Sequence, residues 1–181
     1  VLRLNVGVIP GENMENIRVA ALSPHFRRGN KEHNLKIAYK GLKTAKEKGV
    51  ELAIFSEAYL TGFCGNERSW SISEPVPDGC AVRKIIRFAE ELKMFVSMGV
   101  EEKDISSRVV YNTHFLTGPK GYIGKYRKTH LMTGEVQYYR PGCEVPVFDI
   151  GKCVIGIEIC HDYMYPELSR VQTLMGMEVL L

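Results

Sequence analysis

An α/β fold with a mixed sheet is predicted for this 181-residue chain by three observations. Over the first hundred residues, short apolar runs with strand character take turns with segments whose apolar residues recur at helical spacing. Two glycine-marked turns, Gly118-Pro119-Lys120-Gly121 and Gly151-Lys152, then separate strand-like runs, which predicts antiparallel hairpins in the second half. A 45% hydrophobic composition is that of an ordinary globular protein, and this length suits one domain, residues 1–181.

Each element follows from its local pattern. Leu2, Leu4, Val6 and Val8 alternate with Arg3, Asn5 and Gly7, the period of a half-buried strand, and Pro10-Gly11 ends it. Leu35, Ala38, Leu42 and Ala45 recur at helical spacing between Asn30 and Lys48, with Gly49 as the stop. Val50 to Ser56 is a compact apolar strand, and Glu57 to Phe63 a loop at its carboxyl end, the edge of open α/β sheets where sites form. After the breakers Pro75, Pro77 and Gly79, Asp78 is the expected N-cap of a helix that puts Val82, Ile85, Ile86, Ala89 and Leu92 on one face. Arg83, Lys84, Arg87, Glu90 and Lys93 form its solvated face. Met94 to Val100 reads as a strand. Arg108–Leu116 with Tyr122–Tyr126, and Val145–Ile150 with Cys153–Cys160, are the two hairpins. Pro166 to Met175 suits a helix, and Glu178 to Leu181 opens one more strand, so the chain is expected to be a fragment of a longer protein.

Composition excludes several classes. Twenty-four basic against twenty-one acidic residues give a net charge of +3, scattered rather than clustered, which makes no electrostatic case for nucleic acid. No apolar stretch approaches the length of a membrane span, so no membrane partner is expected. Five cysteines without CxxC spacing suggest neither a disulfide framework nor a zinc site, and fit a reducing, cytoplasmic setting.

Chemistry is suggested by three strand ends. Cys160 closes an apolar run and is followed at once by the turn-forming His161-Asp162-Tyr163, the placement of a nucleophile. Alone it would count as structural, because free cysteine behaves mostly as a small buried hydrophobe. Its company is Glu57 at one strand end and Lys128 at another. A thiol of ordinary pKa needs a base within reach, which Glu57 supplies, and Lys128 would stabilise an oxyanion. To stay protonated when buried, Lys128 needs carboxylate neighbours, and Glu135 is the obvious second one. Taken singly, Glu57 reads as a solvated cap and Lys128 as a surface lysine. Glu158 shares a strand face with Cys160 and is either a buried acid near the site or an edge residue turned to solvent. His130 and His161 have no ligand spacing and read as satisfied or exposed histidines.

Phe55-Ser56-Glu57-Ala58-Tyr59-Leu60-Thr61-Gly62-Phe63, Gly124-Lys125-Tyr126-Arg127-Lys128-Thr129-His130-Leu131 and Ile159-Cys160-His161-Asp162-Tyr163-Met164-Tyr165-Pro166-Glu167 resemble, in order, the three signature regions of the nitrilase, or carbon–nitrogen hydrolase, superfamily. The resemblance covers essentially the whole chain, including Tyr111-Asn112-Thr113. It implies a four-layer αββα sandwich, incomplete at the C-terminus, paired into homodimers or larger assemblies. It also implies Glu57 as general base, Lys128 as oxyanion stabiliser, Cys160 as nucleophile and Glu135 as a second glutamate orienting lysine and substrate, with no metal or cofactor. His161, Tyr163, Met164, Tyr59 and Phe63 are the implied candidates for the substrate pocket. Ser56 departs from the proline that commonly precedes the first glutamate. His161-Asp162 after the cysteine is similar to amidase and N-carbamoyl amidohydrolase branches, where nitrilases proper tend to carry Trp-Glu. A small amide is therefore the expected substrate, a carbamoyl compound or nitrile the alternative, and an inactive, interaction-only remnant the alternative of another class.

Overall fold

A computed structural model describes residues 16–181, and residues 4–9 as backbone. Nine of the chain's first fifteen residues, positions 1–3 and 10–15, are not described, so the expected strand start at Leu2 and the Pro10-Gly11 stop lie outside the described residues. The chain runs β1 (Leu4–Ile9), β2 (Ile17–Leu22), α1 (Lys31–Glu47), β3 (Leu52–Phe55), α2 (Ser69–Ile72), α3 (Cys80–Leu92), β4 (Phe95–Asp104), β5 (Val109–Gly118), β6 (Gly121–Arg127), β7 (Val147–Asp149), β8 (Val154–Gly156), a 3-10 turn (Cys160–Met164), α4 (Pro166–Leu174) and β9 (Val179–Leu180). Strands β1 to β6 form one sheet in sequence order, parallel across β2, β3 and β4 and antiparallel elsewhere. β7, β8 and β9 form a second sheet.

Alternation along the strands sorts the layers. Ala20, Leu22, Ala53, Phe55, Val96, Met98 and Phe115 share one core with Leu35, Ala38 and Leu42 of α1 and Val82, Ile85 and Ala89 of α3, so both helices cover one face of the large sheet. Ile17, Leu52, Leu116 and Tyr126 point the other way and pack with Phe148, Ile155 and Val179 of the small sheet. Gly156, next to Ile155 and therefore facing away from that core, has Gln172 of α4 against it, and a Cβ there would sit 2.6 Å from the Gln172 Oε1. The layers are thus α1 and α3, large sheet, small sheet, α4: the expected αββα sandwich.

Both predicted hairpins form. Gly118 pairs with Gly121 across Pro119-Lys120, and Asp149 with Val154 across the second turn. α1 begins within the expected bounds, and Asn30 caps it, its Oδ1 accepting from the His33 amide at 3.0 Å. The structure corrects three expectations. β2 is not among the elements the pattern predicts, because Arg18 and Ala21 are its exposed positions and the six residues alternate imperfectly. Asp78 does not cap α3. Gly79 occupies the cap position and the Glu74 carboxylate, buried and paired with Lys31 at 2.7 Å, accepts from the Ala81 amide at 2.9 Å. The strand expected to reach Cys160 stops at Gly156, and Cys160 opens a 3-10 turn.

Candidate active site

Glu57 sits in the turn after β3, and that turn lies directly on β4. Leu60 N donates to Gly99 O at 2.9 Å, and a Cβ on Gly99 would be 2.4 Å from both Ser56 O and Ala58 N. Only glycine lets the strand and the turn approach so closely. Ala58 takes a left-handed backbone, φ 49°, to make the bend. Behind it, His114 faces Gly99 across the sheet, and its ring accepts or donates to Ser97 Oγ at 2.8 Å. Burial holds His114 down to a pKa of about 4, against an opposing hydrogen bond to the Ser56 backbone, so it is a neutral prop under the Glu57 turn.

Lys128 follows β6 in register. Alternation puts Tyr126 and Lys128 on the face turned to the small sheet, and Lys128 N donates to Asn112 O on β5 at 2.8 Å. Its side chain is 1% exposed, and its Nζ donates to Glu57 Oε1 at 2.9 Å and to Glu135 Oε1 and Oε2 at 3.0 and 2.9 Å. Burial alone would lower its pKa, but the hydrogen bonds and charges of Glu135 and Glu57 outweigh it and the net shift is upward. Lys128 is therefore an ammonium ion. Glu135 is fixed by its own turn, where Oε2 accepts from Met132 N at 2.7 Å.

Cys160 is brought to the same place by an elbow. Its φ is 50°, left-handed in a non-glycine residue, and it is exposed at the tip. Asp162, fully buried, ties the elbow down: Oδ2 accepts from Ile159 N at 3.0 Å and from Tyr126 OH at 2.8 Å, and Oδ1 from His130 N at 2.9 Å and Thr129 Oγ1 at 3.2 Å. One carboxylate thus joins the cysteine turn to the segment carrying Lys128. Desolvation first, then the Glu57 charge, push the thiol pKa up, with Lys128 pulling the other way, so Cys160 rests as a thiol beside a base.

Glu57, Lys128, Glu135 and Cys160 line one cavity of about 430 Å³ together with Phe63, Gly65, Met132 and Gly134. Of the expected pocket residues, Phe63 is there. Tyr59 is not: it is fully buried in the core under α1, its ring 4.9 Å from Phe55 and 6.1 Å from Phe26. Tyr163 and Met164 are 72% and 57% exposed on the far side of the 3-10 turn, and His161 stands half-buried edge-on to Tyr165, none of them lining the cavity. Their positions follow from the elbow, which aims Cys160 inward and the next residues outward. Glu158 resolves as a half-buried acid behind Cys160 that accepts from Ser169 Oγ at 2.6 Å. His130 stacks on Tyr165 at 3.9 Å and contacts Asp162 at 3.0 Å. Among the described residues no group of three His, Cys, Asp or Glu side chains is arranged to hold a metal ion.

The residue not anticipated is Asn112. Its Nδ2 donates to Glu57 Oε1 at 2.7 Å and to Glu135 Oε1 at 3.3 Å, so it spans the two carboxylates that hold Lys128. The signal was present in the Tyr111-Asn112-Thr113 run, where a polar amide interrupts a strand bound for a core.

Comparison with known proteins bears on the family and the fold. Residues 17–181 match the family model described as carbon–nitrogen hydrolase. The chain is 32% identical over 170 residues to a nitrilase of Pyrococcus abyssi, covering 92% of this chain and 63% of that protein. An amidase from Nesterenkonia sp. superposes with a TM-score of 0.83 at 20% identity, over 96% of this chain and 65% of that one. Saccharomyces cerevisiae Nit3, a member of branch 10 of the nitrilase superfamily, superposes with a TM-score of 0.83 at 22% identity, over 91% and 62%. The chain thus spans a little under two thirds of these relatives. The superpositions agree on the fold, and the family model, matched over residues 17–181, makes the assignment: the chain belongs to the carbon–nitrogen hydrolase family.

Proposed function

We propose that the chain carries the catalytic groups of a hydrolase that cleaves a non-peptide carbon–nitrogen bond of a small amide through a thioester. The observation that supports it is the meeting of a thiol, a carboxylate and a doubly paired ammonium on one cavity wall. Cys160 Sγ attacks the amide carbon as Glu57 takes its proton. The carbonyl electron pair moves onto oxygen, where Lys128 and the backbone N–H of His161 receive it. Glu57 passes the proton to the departing ammonia or amine as the carbon–nitrogen bond breaks, leaving an acyl-cysteine. Water, deprotonated by Glu57, then releases the acid and restores the thiol.

The resting protonation states favour this order. A thiol pushed up by burial and by Glu57 is not a standing thiolate, so attack and proton transfer must be concerted with a base. Lys128, clamped by two carboxylates, keeps its charge and has no need to move when charge develops on the substrate oxygen. Glu135 contributes by sharing the ammonium with Glu57, so that Glu57 is not neutralised outright. Phe63 and Met132 give the cavity an apolar wall suited to a short acyl chain. A cysteine-to-alanine mutant of the Nesterenkonia amidase is known in complex with butyramide, a ligand of that class. The homo-oligomer implied by the resemblance belongs to the same proposal: Leu174, 82% exposed, with Tyr163 and Met164, would be covered in it, and light scattering of a monomer would remove that part.

The test is ammonia release from short aliphatic amides, N-carbamoyl amino acids and nitriles, with Cys160→Ala as the blank. Turnover of amides alone is the expected result, and turnover of carbamoyl compounds or nitriles instead reassigns the bond. In parallel, iodoacetamide should label Cys160 ahead of Cys64, Cys80, Cys143 and Cys153, and Glu57→Gln should slow that labelling by 10²-fold or more, an order-of-magnitude figure for loss of a general base. Equal labelling of all five cysteines with no turnover would favour an interaction-only protein.

A further inference from the structure

Three neighbouring strands set Glu101, Asn112 and Lys128 in one row. Glu101 on β4 is the register partner of Asn112 on β5, and Lys128 at the end of β6 bonds to the Asn112 carbonyl. All three are buried. Directly opposed residues of an antiparallel pair hold their Cβ atoms roughly 5 Å apart on one face, so the Glu101 and Asn112 side chains leave the sheet side by side.

Their hydrogen bonds do not close as drawn. Both N–H donors of Asn112 are spent on Glu57 and Glu135, which fixes which end of the amide is nitrogen: the reverse orientation would turn its oxygen onto two carboxylates. Asn112 Oδ1 then faces away from them, buried and without a partner. Glu101 Oε1 accepts from Cys64 N at 2.5 Å and from Tyr139 OH at 2.7 Å, while Glu101 Oε2 is also buried and without a partner. Two orphaned oxygens on paired residues cannot satisfy one another unless one carries a hydrogen.

We propose that Glu101 is a neutral carboxylic acid whose Oε2–H donates to Asn112 Oδ1, which makes Glu101 a positioning residue for the amide that spans Glu57 and Glu135. This role in catalysis rests on the hydrolase reading above. The surroundings agree. Burial pushes the Glu101 carboxyl up, against the pull of the Cys64 and Gly65 amides and the Tyr139 and Ser69 hydroxyls. No cation pairs with it among the described residues. Tyr139 and Cys64, its titratable contacts, are themselves pushed up and stay neutral. Arg28 and Arg68 act on Cys64 from beyond it, and past Asn112 stand two carboxylates against the single Lys128 ammonium, a balance that disfavours a further negative charge. Tyr139 completes the chain by accepting from Gly65 N at 2.9 Å, on the cavity wall. A hydrogen-bonded line therefore runs from the Phe63–Gly65 wall through Tyr139, Glu101 and Asn112 to the base and the ammonium.

The test needs one measurement that uses no substrate. Infrared difference spectra of the full chain with ¹³C-labelled glutamate, wild type against Glu101→Gln at neutral pH, should contain the carbonyl band of a protonated carboxylic acid that the variant lacks. Absence of that band overturns the proposal whatever the turnover assays give, and its presence stands even if no amide is hydrolysed. For the positioning role, Glu101→Leu, which cannot donate, should slow Cys160 alkylation and amide turnover by about 10- to 100-fold. Glu101→Gln, which donates from Nε2, should recover both to within a few-fold. A glutamine variant as slow as the leucine variant would overturn that role, and its melting temperature separates loss of the bond from loss of the fold.

Discussion

Cys160 shows what a single side chain needs from its backbone. Its left-handed φ of 50° turns the thiol into the cavity while the residues after it point outward. For an L-residue with a Cβ this conformation costs about 1–2 kcal/mol, and it persists because Asp162 ties the elbow at Ile159 N to His130 N on the Lys128 segment. Cys160→Gly is therefore expected to abolish amide turnover yet raise the unfolding free energy by about 1 kcal/mol, since glycine takes that φ without strain. Denaturant titration of the two proteins checks this, and a glycine variant less stable than the parent would show that the thiol contributes more by contact than its backbone costs.

The turn carrying Glu57 and the strand beneath it depend on Gly99. Gly99→Ala would drive a methyl into Ser56 O and Ala58 N, so the turn has to lift and take the base with it. Destabilisation of about 1–3 kcal/mol is expected, in the range of overpacked cores, together with slower labelling of Cys160. A variant with parental melting and labelling would mean that β4 can yield instead. Element boundaries near the site were the least legible part of the sequence. Gly49, Gly121 and the apolar stripe of α3 announce themselves locally, whereas the cap of α3 comes from Glu74 through a side-chain bond that no cap pattern at Asp78 reveals. β2 was equally hidden, because its strand character comes from pairing with β1 and β3 on both sides rather than from clean alternation.

Between the stacked sheets the fold buries a row of polar groups, and His114 makes their cost measurable. Its folded pKa lies at about 4, below its ordinary 6.5, so the protein binds fewer protons folded than unfolded in between. The stability this represents is complete above pH 6.5 and is lost as pH falls through 4, a swing on the order of 3 kcal/mol. His114→Asn should flatten the pH dependence of the melting temperature across that window. An unchanged slope would assign acid sensitivity to other groups, with buried Glu101 working in the opposite direction because its carboxyl is pushed up.

From the primary structure alone come the α/β class, both hairpins, and Glu57, Lys128, Glu135 and Cys160 as the groups worth bringing together, since periodicity, turn chemistry and motif spacing are local properties of the chain. Tertiary structure alone decides that Tyr59 belongs to the core, that Tyr163 and Met164 face outward, and that Asn112 and Asp162 brace the site. The physical reason is burial: a polar side chain far along the sequence acquires a role only when packing removes its water and leaves another side chain as its sole partner.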